Sequence, residues 1–221
     1  MSALFARPHA EIAPGAVHVP DWLDLRQQRE LVAACHEWAA PPAGLRRTRL
    51  PSGGVMSVQT VCLGWHWYPY GYSRTVNDDE RTPVKPFPAW LAELGRRAVA
   101  EAYGDEDAGR AYEPDVALIN FYDREAKMGL HQDKDERSTA PVVSLSLGDR
   151  CVFRFGNTEN RKQPWNDIEL ASGDLFVFGG PSRLAYHGVP RIRPSAGDPD
   201  IGLPSGRLNI TLRESGLTDS P

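Results

Sequence analysis

From residue 115 to residue 214 the sequence alternates apolar and polar positions again and again. That two-residue period constrains the fold more than any other feature. Six short segments carry it: DVALINFYD, PVVSLSLG, CVFRFG, DLFVFGG, LAYHGV and GRLNITLRE. Side chains on a strand point alternately to opposite faces, so each segment is a strand candidate, and turn residues separate them. Helices upstream and many short strands downstream predict an α+β fold with an antiparallel sandwich or barrel as its core.

Upstream, residues 24–39 read as an amphipathic helix with Leu31, Ala34, Cys35 and Trp38 on one stripe. Residues 88–103 read as a second helix. Trp90, Leu91, Leu94 and Ala98 keep helical spacing, Pro86 and Pro88 mark its start, and Gly104 its end. Residues 50–87 are expected to form short strands and turns, residues 194–206 an exposed loop, and the tail after Glu214 a frayed end. A length of 221 residues fits one domain, with N-terminal helices and a lid over about 1–113 and the core over about 114–214.

Apolar residues make up 41% and charged residues 24%, ordinary values that exclude wholesale disorder, collagen and coiled coil. No apolar run approaches the ~20 residues of a membrane span, and no secretory signal is evident. Cys35, Cys62 and Cys151 are odd in number and widely spaced, which fits free thiols in a reducing cytosol. A cytoplasmic monomer without membrane contact is the expectation. The net charge of -4 argues against a protein coated in basic charge for nonspecific nucleic-acid binding. It leaves room for a local basic surface.

The most informative stretch is GLHQDKDE, residues 129–136. In an extended segment His131 and Asp133 point to the same side. An imidazole and a carboxylate so placed can grip one ion, and His187 in LAYHGV is the natural third ligand. Two histidines and one carboxylate make the facial triad of non-haem Fe(II) oxygenases, although zinc or manganese fits the same ligands.

In RLNITLR, alternation puts Arg207, Asn209, Thr211 and Arg213 on one face and Leu208, Ile210 and Leu212 on the other. That polar face either meets water on an edge strand or lines a cavity that holds an anion. Two guanidiniums roughly 20 Å apart along a strand cannot grip one carboxylate. They could serve opposite ends of a small dicarboxylate and its metal neighbourhood. In the strand over 115–123, Asn120 and Tyr122 share a face with Val116 and Leu118 and need partners if buried. Core polar groups or a bound carboxylate would both supply them.

These words together resemble the AlkB family of Fe(II)/2-oxoglutarate-dependent dioxygenases, in its bacterial DNA-repair branch. The resemblance is carried by LINFYD, LHQDKDE, APVVSLSLG, GDLFVFGGPSRLAYHGV and RLNITLR, with weaker echoes in PSGGVMSV and LGWHWYPYGY. It covers about residues 45–214. It implies a double-stranded β-helix, a jelly-roll or cupin-like core, with N-terminal helices and a nucleotide-recognition lid. It implies Fe(II) held by His131, Asp133 and His187. Arg207, Tyr122 and Asn209 would take the distal carboxylate of 2-oxoglutarate, with Arg213 and Asn120 at the iron-chelating end.

The resemblance further implies that Trp65 and Tyr72 sandwich a flipped base, that Asp135 faces its exocyclic amine, and that Arg161 lies on the substrate side. The partner would be alkylated DNA, single- or double-stranded, with RNA as the alternative. The implied reaction removes N-methyl groups from 1-methyladenine and 3-methylcytosine and releases formaldehyde, succinate and CO2. Val55, Arg74, Phe178 and Ala185 depart from the family's pattern on the substrate side. An RNA- or protein-directed dioxygenase and a catalytically silent anion-binding barrel are the competing readings.

Overall fold

The computed structural model describes residues 7–76, 80–194 and 199–218. In chain order the strands and helices are β1 Ala10–Ala13, β2 Ala16–Val19, α1 Leu25–Ala39, β3 Arg46–Arg49, β4 Val55–Leu63, β5 His66–Tyr68 and β6 Gly71–Ser73. There follow α2 Ala89–Tyr103, α3 Glu106–Ala111, β7 Val116–Tyr122, β8 Met128–His131, β9 Val142–Gly148 and β10 Arg150–Phe155. The chain ends with β11 Asn166–Leu170, β12 Leu175–Phe178, β13 His187–Arg193 and β14 Arg207–Arg213.

Both expected helices form, and their ends have local causes. Asp24 caps α1 by accepting from the Gln27 amide at 2.8 Å, and the Gln27 side chain accepts from the Asp24 amide at 3.0 Å. This reciprocal pair satisfies two amides that the first helical turn leaves open. Gly104 ends α2 at φ 61°, a left-handed position suited to glycine.

The strands make a jelly roll of two antiparallel sheets. The large sheet has the order β1-β2-β12-β9-β14-β7-β4-β3, and the small one β11-β10-β13-β8. Between β7 and β14 the chain passes back and forth between the sheets, apart from the β10–β11 hairpin, which winds the double-stranded β-helix. Upstream of residue 114, β1 to β4 belong to the large sheet as well, since β2 pairs with β12 and β4 with β7, while β5 and β6 pair only with each other.

The two faces of the large sheet do different work. Outward, Leu208, Ile210 and Leu212 of β14 join Ala117 and Ile119 of β7 and Leu31, Val32, Leu91 and Val99 of the helices in one apolar core. Inward, Phe153, Phe155, Phe176 and Phe178 fill the closed part of the barrel. The polar face of β14 is not an exposed edge, because all seven of its residues are buried. It lines a cavity between the sheets instead.

Three expectations need correction. The strand expected at LAYHGV begins only at His187 and runs on to Arg193, because a short 3-10 turn at Gly180–Ser182 feeds Ala185 and Tyr186 into a loop. The loop over 194–206 is not all exposed. Residues 195–198 lie outside the described part, while Ile201 and Leu203 are buried in the helix-side core. The tail after Glu214 is docked through its first residues. The Ser215 amide and hydroxyl donate to Asp115 at 2.7 and 2.6 Å, and Leu217 packs on Trp65, Val116 and Leu118. Residues 219–221 lie outside the described part.

Candidate metal centre and substrate cavity

β8 and β13 run antiparallel with His131 opposite His187. Asp133 lies just beyond the end of β8, and its two carboxylate oxygens are each 3.6 Å from one histidine Nε2. Ligand atoms of all three lie within 4.8 Å of one another. Each Nδ1 bonds a backbone carbonyl, His131 to Gly129 at 2.9 Å and His187 to Ala185 at 3.0 Å. A carbonyl can only accept, so each Nδ1 carries the proton and each Nε2 presents a lone pair toward the common point. Burial pulls the His187 pKa down to about 4 against the pull of Asp133. The ring is therefore neutral at pH 7, as a metal ligand must be. Burial would raise the Asp133 pKa, but Arg213, His187, His131 and Arg183 outweigh it and bring it to about 2.

A buried ionic network backs this triad. Arg213 gives one nitrogen to Asp133 at 2.7 Å and the other to Glu136 at 2.8 Å. Arg183 bonds Glu136 at 3.0 Å and the Asp133 backbone carbonyl at 2.6 Å. Tyr72 donates its hydroxyl to Glu136. None of the four charged side chains is more than 8% exposed, and two positive charges balance two negative ones. Such a set is stable only while it stays paired.

The triad sits on the wall of a cavity of about 630 Å³ between the sheets. Arg207 lies deeper, 1% exposed, with Tyr122 as its direct cross-strand partner. One of its nitrogens bonds the Ser146 hydroxyl at 3.0 Å, while Nε and the other terminal nitrogen find no partner among the described residues. A buried guanidinium with two open donors costs free energy unless an anion meets it. The Tyr122 hydroxyl is also poorly served, reaching only the Met128 sulfur at 3.8 Å. Burial raises the Tyr122 pKa, so it stays a neutral donor. Asn209, by contrast, already spends its donors on Ser144 and Leu145, and Asn120 accepts from Thr60 at 2.8 Å. The open donors thus fit a carboxylate at the Arg207 end, about a strand's length from the Arg213 end.

The outer part of the cavity redistributes the expected aromatic roles. Trp65 does not line it. Its indole nitrogen donates to Asp115 at 3.1 Å, and the Arg74 guanidinium covers its ring at 3.7 Å. Trp67 lines the cavity instead. Gly64, at φ 76°, is the reason. A Cβ there would meet the Asp115 carbonyl oxygen at 1.9 Å, so the chain turns sharply and the strand alternation restarts at His66. Tyr72 stands behind the wall, in the ionic network. Asp135 and Arg161 both line the cavity. Asp135 accepts from the Trp67 indole at 2.8 Å, and Arg161 lies 5.7 Å over the Tyr186 ring.

Of the four departures, Phe178 lines the cavity with its ring 4.9 Å from His187, and Ala185 supplies the carbonyl that orients that histidine. Val55 is half exposed, and Arg74 packs on Trp65. Trp67, Tyr70 and Tyr186 on the wall and Glu136 behind it escape a reading of the sequence alone. Only the aromatic richness of residues 65–72 hinted at the first two.

The model of the 2OG-Fe(II) oxygenase superfamily matches residues 15–213. An AlkB homologue of Caulobacter vibrioides, named an alpha-ketoglutarate-dependent dioxygenase, is 39% identical over 96% of this chain and 92% of its own length. The alpha-ketoglutarate-dependent dioxygenase AlkB of Escherichia coli is 38% identical over 80% of each. The DNA N(6)-methyladenine demethylase ALKBH1D of Arabidopsis thaliana is 33% identical over 93% of this chain, which spans about half the length of that relative. The solved structure of OsALKBH1 superposes with a TM-score of 0.82 at 32% identity, covering 94% of this chain and all of that one.

Proposed function

We propose, on the premise that this chain belongs to the AlkB family within the 2OG-Fe(II) oxygenase superfamily, that it oxidatively removes N-methyl groups from DNA bases. It is a dioxygenase that uses Fe(II) and 2-oxoglutarate. The substrates assigned to it are 1-methyladenine and 3-methylcytosine. One arrangement carries this reading. The triad shares a cavity with an indole face, Trp67, and that indole is pinned by a carboxylate, Asp135. A flat aromatic surface suits any base, and a carboxylate suits a cationic methylated ring with an exocyclic amine.

Fe(II) held by His131, Asp133 and His187 would supply the activation of O2 that couples loss of CO2 from 2-oxoglutarate to insertion of one oxygen atom into a methyl C–H bond. The other oxygen atom enters succinate, and the hydroxymethyl group leaves as formaldehyde. The chain holds and orients the reactants. His131, Asp133 and His187 would hold the ion. Arg207 and Tyr122 receive the distal carboxylate, with Asn209 beside them. Arg213 and Asn120 frame the chelating end. Trp67 stacks on the base, Asp135 accepts from its amine, and Arg161 lies on the substrate side. The β5–β6 hairpin that carries Trp67 is the nucleotide-recognition lid.

The name of the Arabidopsis relative favours a second reading, in which the methyl group sits on the exocyclic N6 of adenine. One experiment separates the two. DNA and RNA oligonucleotides carrying 1-methyladenine, 3-methylcytosine or N6-methyladenine are incubated with the protein, Fe(II), 2-oxoglutarate and air, and the products are weighed by mass spectrometry. Loss of the methyl group is expected first from the two ring-methylated DNA bases. If no methylated base is changed while succinate still forms, the substrate is not a nucleobase.

A further inference from the structure

Two consecutive carboxylates after the metal-binding Asp133 grip one hairpin. Asp135 accepts from Trp67 of β5, and Glu136 accepts from Tyr72 of β6. Trp67 and Tyr72 are direct cross-strand partners. Among the described residues β5 and β6 form a two-stranded sheet of their own that shares no ladder with the large sheet or the small one. The Glu136 side chain is buried and is also the second anchor of Arg213, whose other nitrogen holds Asp133. The Tyr72 hydroxyl touches that same Arg213 nitrogen at 3.2 Å.

We propose that Glu136 is a positioning residue that couples the β5–β6 hairpin to the metal centre, so that a docked hairpin and a tightly bound metal favour each other. The link is the divided guanidinium of Arg213. While Glu136 and Tyr72 engage one of its nitrogens, only the other reaches Asp133, at one oxygen, and the second oxygen is left for the ion. Without that anchor Arg213 can close on both oxygens of Asp133 and compete with the metal. The two hairpin states therefore differ in metal affinity, and such coupling is reciprocal. A base that seats against Trp67 and holds the hairpin down tightens the metal site at the same time. Glu136 keeps Arg183 and Arg213 as partners without Tyr72, so the tyrosine bond is the joint that can open.

This inference rests on the triad as the metal site, which Co(II) titration of the wild-type protein, with His187→Ala as the control, tests separately. The informative variants are Glu136→Gln and Tyr72→Phe, each followed by Co(II) titration and by amide hydrogen exchange across residues 66–73. Partners that support metal ligands commonly change affinity by about 10- to 100-fold. Glu136→Gln is expected to weaken Co(II) binding by about tenfold and to speed exchange in the hairpin. Tyr72→Phe is expected to speed the same exchange and weaken Co(II) binding by a smaller factor. Added Co(II) is expected to slow hairpin exchange in the wild type and not in Glu136→Gln. A hairpin loosened by Tyr72→Phe with unchanged Co(II) affinity overturns the proposal, as does wild-type affinity in Glu136→Gln. If Glu136→Gln does not fold, Tyr72→Phe, which deletes one hydroxyl, decides alone.

Discussion

His131 and His187 stand directly opposite each other across the β8–β13 pair, with ring centroids 4.5 Å apart. The pairing delivers two ligands to one point from distant parts of the chain. Asp133 then needs only a two-residue step to reach the same side. His131→Ala and His187→Ala each leave the ladder intact but remove one corner of the site. Both variants should fold, bind Co(II) at least 100-fold more weakly, and form no succinate. Circular dichroism, metal titration and a succinate assay check the three parts.

Arg207 is expected to trade stability for binding. In the free protein two of its buried donors are unmet. An apolar replacement of similar length removes that cost. Arg207→Met should therefore melt at or above the wild-type temperature without 2-oxoglutarate. It should lose the rise in melting temperature that 2-oxoglutarate gives the wild type. A variant that melts lower and still responds to 2-oxoglutarate would place the carboxylate elsewhere.

Trp67 and Trp65 should separate binding from stability. Trp67→Ala removes a stacking face worth ~1–3 kcal/mol per base, a 5- to 150-fold rise in KM for a methylated oligonucleotide. Its melting temperature should fall less than that of Trp65→Ala, because Trp67 is only half-buried against the same cluster. Trp65→Ala opens a buried site beneath Arg74, and loss of a buried tryptophan costs about 3–5 kcal/mol. Its KM should stay close to normal in whatever fraction remains folded.

Asp135→Ala should impair charged lesions more than neutral ones. A hydrogen bond to a charged group is worth ~1.5–3 kcal/mol, roughly ten- to hundredfold in rate if it acts on the transition state. Succinate formed without DNA should survive. If it falls together with demethylation, Asp135 supports the metal site instead of reading the base.

Asp174 predicts an acid limb of stability far from the cavity. Burial would raise its pKa, but bonds from His18, Arg7 and the amides of Ala171 and Asp21 hold it at about 2. Its unfolded value is near 3.8. The folded state binds the proton less readily, so stability from this group is fully present above about pH 4–5 and is lost as pH falls toward 2. The shift corresponds to roughly 2 kcal/mol. Urea unfolding of wild type and Asp174→Asn should differ by about that amount at pH 7, and the gap should close near pH 2. A gap that stays constant with pH would show that the carboxylate's charge is not what stabilises.

The sequence alone determined six of the eight strands from β7 to β14, all but β8 and β11, and the faces they present. Alternation sorted Arg207, Asn209, Thr211 and Arg213 from Leu208, Ile210 and Leu212, and the HxD step placed His131 and Asp133 on one side. Both follow from the two-residue period of extended chain, which carries on to Asp133 although β8 itself ends at His131. Tertiary structure decided what the period does not encode. Alternation could not say whether the polar face of β14 met water or a cavity, because that depends on the second sheet. It could not choose Trp67 over Trp65, because a left-handed turn at Gly64, forced by the close approach of the Asp115 carbonyl, resets the phase. Nor could it show that Glu136, in a run of charges that reads as solvated, is buried between Arg183, Arg213 and Tyr72. Those partners come from three separate parts of the chain, and only the closed fold brings their charges together.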